Sequence, residues 1–277
     1  MFLSPMTIGR ARFDSARMWV MGVVNVTPDS FSDGGKFLDV HAAIAEGKRL
    51  IAEGADLIDV GGESTRPGAQ PVDAATEIER VLPVVKQLAK GSVPVSIDTV
   101  KGEVAEAALA AGALVVNDVT GGRDPRLLAA TARAQATLIV GHLRGTPRDM
   151  QQGIAFVNLI DEIVKELADS IARARQAGVT SLIADPGIGF GKRLDNNLEL
   201  LARGGELSSR LGVPVMLGPS RKSFLGELTG RAAPDRLAAT LGAIAMAAAH
   251  GADFVRVHDV AAARDALAVV DAVTRRG

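Results

Sequence analysis

Eight short apolar runs alternate with longer amphipathic stretches along this chain, and that rhythm constrains the fold more than any other feature. The runs are Val20–Val26, Leu57–Val60, Pro94–Ile97, Ala113–Val116, Thr137–Val140, Ser181–Ala184, Val213–Leu217 and Phe254–Val257. They are too short for buried helices and rich in valine and isoleucine, so they read as strands. Helical patterns lie between and after them, near 39–53, 73–89, 101–111, 124–134, 155–177, 195–203, 234–250 and 260–273. Gly54, Gly112, Gly178 and Gly251 each come just after such a pattern, where a left-handed cap is wanted. Near-continuous apolar strands separated by helices predict a parallel sheet covered by helices, and eight strands close a barrel. The predicted fold is therefore α/β, a single (β/α)₈ TIM barrel, with a doubly wound open sheet as the alternative. The 277 residues suit one such domain. Residues 1–18 are expected to form an N-terminal extension that caps the barrel bottom.

Composition removes several function classes. A net charge of −1 with no long basic run leaves no electrostatic footprint for nucleic acid. One Trp, eight Phe and no Tyr make stacking platforms for single strands improbable. The absence of cysteine excludes disulfides, thiolate metal sites and a thiol nucleophile, and fits a reducing cytoplasm. Met1–Arg17 lacks the layout of a secretory signal, and no uninterrupted apolar window is long enough to predict a membrane span.

Every apolar run gives way to polar residues at its carboxyl end. Asn25 closes the first, Asp59 and Glu63 flank the second, and Asp98 closes the third. Asn117 and Asp118 end the fourth, His142 the fifth and Asp185 the sixth. Ser220, Arg221 and Lys222 come after the seventh, and Arg256 and His258 close the eighth. One such residue is most often a helix cap or turn residue. Polar ends on every strand converge on the carboxyl face of a barrel, where active sites of that fold lie. Arg256 and His258 are two apart on one strand, so they share a side and suit an anionic cluster such as a phosphate. The alternative is a structural ion pair with Asp253 or Asp259. Asp98, Asn117 and Asp185 offer acceptors and an amide to a flat heterocycle, or are buried acids tied to barrel backbone. Lys222 and Ser223 open a helical turn that offers free N–H groups to a carboxylate or phosphate. Two glycine-bracketed segments, Asn25–Gly35 and Gly61–Gly68, are long enough to act as lids.

The wording of these segments resembles the dihydropteroate synthase family. Val20-Met-Gly-Val-Val-Asn-Val-Thr-Pro-Asp-Ser-Phe-Ser-Asp-Gly-Gly35 is similar to that family's opening signature, and Gly61-Gly-Glu-Ser-Thr-Arg-Pro-Gly68 to its second loop. Ser96-Ile-Asp-Thr99, Asn117-Asp-Val-Thr-Gly-Gly122, Asp185-Pro-Gly-Ile-Gly-Phe-Gly-Lys192, Ser220-Arg-Lys-Ser-Phe224 and Arg256-Val-His-Asp259 come next, in the right order. The resemblance implies a transferase of folate biosynthesis. It would join 6-hydroxymethyl-7,8-dihydropterin diphosphate to p-aminobenzoate, giving 7,8-dihydropteroate and diphosphate.

The resemblance also implies residue roles. Asp98, Asn117, Asp185, Phe190 and Lys222 would form the pterin site. Asn25, Arg256 and His258 would hold the diphosphate, with Asn25 on Mg²⁺. Phe31, Thr65, Arg66, Pro67, Phe190 and Ser223 would shape the p-aminobenzoate site, with Asp33 arriving beside Phe31. Asp98, Asp185, Lys222, Arg256 and His258 would carry catalysis. It further implies a homodimer, a cytoplasmic setting and inhibition by sulfonamides. Two departures stand out: Gly141-His142-Leu143 replaces a common Met-His-Met, so Gly141 leaves room for another side chain, and Thr120 stands where serine is common. Other readings are a methyltetrahydrofolate–corrinoid methyltransferase, which would leave Arg256 and His258 without a diphosphate to bind, and a pterin-binding paralogue without turnover.

Overall fold

The computed structural model describes residues 5–14, 16–27, 35–64, 71–146, 150, 153 and 155–274, with the backbone alone for residues 35–39. Two short strands, β1 (Met6–Ile8) and β2 (Ala11–Phe13), pair as an antiparallel hairpin. Eight parallel strands come after it: β3 (Trp19–Asn25), β4 (Leu57–Gly61), β5 (Val95–Asp98), β6 (Val115–Asp118), β7 (Thr137–Gly141), β8 (Ser181–Asp185), β9 (Met216–Leu217) and β10 (Phe254–Val257). Their spatial order is β8-β7-β6-β5-β4-β3-β10-β9. A parallel bridge between Ala184 and Val215, with Ala184 N donating to Pro214 O at 2.8 Å, joins the two ends. That contact turns the sheet into a barrel and rules out the open-sheet alternative.

The helices wrap the outside: α1 (Gly35–Ala52), α2 (Ala74–Leu88), α3 (Gly102–Ala110), α4 (Pro125–Arg133), α5 (Leu159–Gln176), α6 (Leu194–Ala202), α7 (Gly204–Leu211), α8 (Ser223–Thr229), α9 (Leu237–Ala249) and α10 (Val260–Thr274). Local chemistry sets their starts. Asp73, Asp124 and Asn158 each accept a first-turn N–H of α2, α4 and α5, and Pro125 opens α4, where its missing N–H costs nothing. The four predicted cap glycines all have positive φ. Two elements were not legible as patterns: the hairpin, whose strands are too short to show alternation, and α7, which opens on two glycines.

The barrel interior is layered by the two-residue period of its strands. Met21, Leu57, Val115, Ile139, Ile183, Met216 and Phe254 form a buried cluster closed off by Ile8 and Phe13 of the hairpin. The Phe13 ring lies 5.5 Å from Phe254 and 4.8 Å from Trp19. Two residues further along these strands come Asp59, Asn117, Asp185 and Arg256. An apolar plug thus floors a polar layer, and strand alternation alone puts both on the same side.

Candidate active site

The layer over the plug is an ion-pair and amide network. Arg256, on β10, donates from Nε to Asp59 Oδ2 at 2.7 Å and from Nη2 to Asp98 Oδ2 at 2.8 Å. Asn117 Nδ2 donates to the same Asp59 oxygen at 2.9 Å. The strand register aligns Asn25, Gly61, Asp98 and Asn117 across β3, β4, β5 and β6. Burial pushes the Asp98 carboxyl up to about 7, against the pull of Arg256. The anticipated alternative partners of Arg256 are engaged elsewhere. Asp259 accepts two hydrogen bonds from Arg221, at 2.6 and 3.1 Å, and Asp253 accepts from Ser208 and from Val215 N.

Lys222 enters from the other wall. Its ammonium donates to Ile188 O and stands 4.2 Å from the centre of the Phe190 ring. Burial lowers its pKa to about 8, while Asp185 works in the opposite direction. Gly189 makes this approach possible, because a Cβ there would lie 2.5 Å from Lys222 Cδ. Asp185 Oδ1 accepts Gly187 N at 2.7 Å, which folds the loop back over the end of β8. Gly187 has φ +71°, and a side chain on it would run into the carbonyl oxygen of His142. Gly187→Ala is therefore expected to destabilise the protein by about 2 kcal/mol or more, read as a lowered unfolding midpoint in denaturant.

His258 and Ser220 meet at the same mouth, with Ser220 Oγ 2.9 Å from His258 Nδ1. Ser223 is exposed in the first turn of α8, and Asn25 is half-buried at the end of β3. Phe31, Asp33, Thr65, Arg66 and Pro67 lie outside the described residues.

Some polar strand ends serve the scaffold instead. Asp118 accepts Thr120 N, Thr120 Oγ1 and Gly122 N, so it builds a turn. Glu63 accepts Val72 N and pairs with Lys101, which also reaches the buried Glu77. The room expected beside Gly141 is filled by main chain: a Cβ there would lie 2.5 Å from Val119 Cα and 2.8 Å from Asp118 O. Leu143 is buried.

Two participants escaped the sequence reading. Asp59 reads in the sequence as one more strand-end acid, yet it is fully buried beneath Arg256. Lys192 stands in the sequence as the end of a glycine-rich phrase. It is 6% exposed, donates to Phe190 O at 3.0 Å and lies 3.1 Å from His142 Nδ1. His142 Nε2 in turn meets Glu166 at 2.9 Å, and Arg144 holds that carboxylate. Burial pushes the Lys192 amine down to about 7. The unfolded chain then holds a proton that the folded chain has lost between about pH 7 and the ordinary lysine range, so stability rises with pH across that window. Lys192→Met should reduce this slope, measured as the change in melting temperature between neutral and alkaline buffer. An unchanged slope would count against a depressed lysine.

Residues 21–258 match the family described as pterin binding enzyme. The chain belongs to the pterin-binding enzyme family. A dihydropteroate synthase of Synechocystis is 43% identical over 99% of this chain and 96% of its own length. The dihydropteroate synthase of Xanthomonas albilineans, solved with 4-aminobenzoic acid, superposes with a TM-score of 0.91 at 45% identity, covering 98% of each chain. That of Yersinia pestis, solved as a sulfonamide drug complex, gives 0.91 at 38% identity over 98% of this chain and 99% of its own. Within the pterin-binding enzymes, the chain groups with the dihydropteroate synthases.

Proposed function

We propose that the polar layer over the plug is where this chain carries out the dihydropteroate synthase reaction. That reaction condenses 6-hydroxymethyl-7,8-dihydropterin diphosphate with p-aminobenzoate to 7,8-dihydropteroate and diphosphate. The observation that carries the assignment is the meeting of Asp98, Asn117 and Arg256 in one hydrogen-bonded network over the fully buried Asp59. Asp98, Asn117, Asp185 and Lys222 hold the pterin ring, with Phe190 as an apolar wall. Arg256, His258 and Asn25 take the diphosphate. Ser223 receives the carboxylate of p-aminobenzoate, and Phe31, Thr65, Arg66, Pro67 and Phe190 shape its site.

The chemistry is substitution at the methylene carbon of the pterin. The bond from that carbon to the diphosphate oxygen breaks, and a bond from the arylamine nitrogen forms. The amine's extra proton leaves with the diphosphate. Charge builds on the departing oxygens, where Arg256 and His258 stabilise it. The ring carries the positive charge left behind, which Asp98 and Asp185 favour. The arylamine is a weak nucleophile, so holding it in place and keeping water out supply much of the rate.

Among the described residues no group of three or more His, Asp or Glu could hold a metal ion. The single half-buried amide oxygen of Asn25 at the end of β3 still suits Mg²⁺, which commonly takes one or two protein oxygens and completes its shell with phosphate and water. Asn25 would be the protein ligand, and a bound Mg²⁺ would neutralise diphosphate charge.

Purified chain incubated with both substrates and Mg²⁺ should release dihydropteroate; a folded preparation with no turnover would overturn the reading. Sulfonamides, which mimic p-aminobenzoate, should compete with it. Among the described residues no helix is long and apolar enough to cross a membrane. Met246 on α9 and Val269 and Val273 on α10 are 50%, 65% and 73% exposed, and we place a homodimer contact there. Sedimentation should give twice the monomer mass, and Val269→Glu should lower it.

A further inference from the structure

Asp59 touches no substrate in the proposed reaction, yet the site's network passes through it. It is fully buried on β4. Its Oδ2 accepts Asn117 Nδ2 at 2.9 Å and Arg256 Nε at 2.7 Å. Arg256 Nη2 continues to Asp98 at 2.8 Å. One continuous chain of contacts thus runs Asn117–Asp59–Arg256–Asp98. Its two ends belong to the proposed pterin subsite and its middle cation to the diphosphate subsite. Asp59 Oδ1 is buried with no hydrogen-bond partner among the described residues. A carboxylate kept at that depth with one oxygen unmatched is costly, and packing alone does not call for it.

We propose that Asp59 is a positioning residue that couples occupancy of the pterin subsite to occupancy of the diphosphate subsite. The inference rests on the proposed assignment of those subsites. Arg256 is shared by two carboxylates. A pterin that donates ring N–H groups to Asp98 competes with Arg256 Nη2 for the same oxygen. Asp59 keeps the guanidinium seated while that happens, and the released nitrogen becomes available to the diphosphate. The first ligand therefore prepares the site for the second. Without the Asp59 charge, Arg256 depends on Asp98 alone. The pterin must then displace the sole carboxylate partner of a half-buried arginine, while an incoming diphosphate meets one negative charge fewer.

The two ligands should therefore respond to Asp59→Asn with opposite signs. The substitution preserves shape, and its amide oxygen can still accept from Asn117 and Arg256. The test is calorimetric binding of 6-hydroxymethylpterin and of inorganic diphosphate, singly and together, to the full chain in magnesium-containing buffer. In the native chain, diphosphate should tighten pterin binding about tenfold. In Asp59→Asn the pterin alone should bind about tenfold more weakly, diphosphate alone should bind more tightly, and the coupling should fall below about twofold. Equal weakening of both ligands would mark a merely structural residue and overturn the proposal, as would coupling that survives the substitution. If Asp59→Asn does not fold, independent binding of the two probes to the native chain overturns it equally. A native chain that binds neither probe would instead defeat the subsite assignment, and this role with it.

Discussion

Arg256→Ala should lower kcat/KM by about 10³-fold, the largest effect expected of any single substitution in this site. The guanidinium is hydrogen-bonded to two carboxylates, Asp59 and Asp98, of which Asp59 is fully buried. On the proposed reaction it also faces the charge that develops on the departing diphosphate. Removing it takes away that stabilisation and leaves two acids crowded together without a counter-charge. The second consequence is structural: breaking a buried pair on one side costs about 3 kcal/mol. Steady-state kinetics must therefore be read beside a melting curve, so that lost activity is counted only in folded protein. Arg256→Lys should recover little, because an ammonium cannot reach both carboxylates through a planar fork. Activity within about tenfold of the native chain in Arg256→Ala would remove Arg256 from the catalytic set.

Asp185→Asn should lower kcat/KM by about 10²-fold. The substitution is nearly isosteric, and an amide oxygen can still accept the Gly187 N–H that Oδ1 accepts now at 2.7 Å. The loop over β8 should keep its course, and so should the Phe190 ring beneath Lys222. What disappears is a negative charge opposite Lys222 and beside the proposed pterin ring. A ring that carries positive charge in the transition state loses a stabilising neighbour, so kcat should fall as well as pterin affinity. The KM for p-aminobenzoate should stay close to its native value, because Asp185 has no part in that subsite. Initial rates with each substrate varied separately would separate these effects. A selective rise in the p-aminobenzoate KM would contradict the assignment.

Much of this is legible in the sequence. The alternation of valine-rich runs with amphipathic stretches specified eight strands and their sequence, because parallel strands buried on both faces must be apolar nearly throughout. The loop phrases carried the family resemblance, and with it the chemistry. Pattern could not reveal the hairpin that plugs the barrel, since Ile8 and Phe13 are buried only because Phe254, Met21 and Leu57 come round to meet them. Gly141 invited the thought of an empty space, whereas the main chain at Val119 already fills it.

The sequence by itself determined which residues stand at the strand ends, because a two-residue period is a local property of backbone geometry. Only the tertiary structure decided what those residues do to one another. Asp118 and Asp59 look alike as acids at strand ends. One folds into its own turn; the other lies under Arg256, 197 positions away in the chain. Closure of the barrel makes that difference, by bringing β10 round to the strands that opened the fold. Electrostatic partnership depends on distance in space, which no local pattern records.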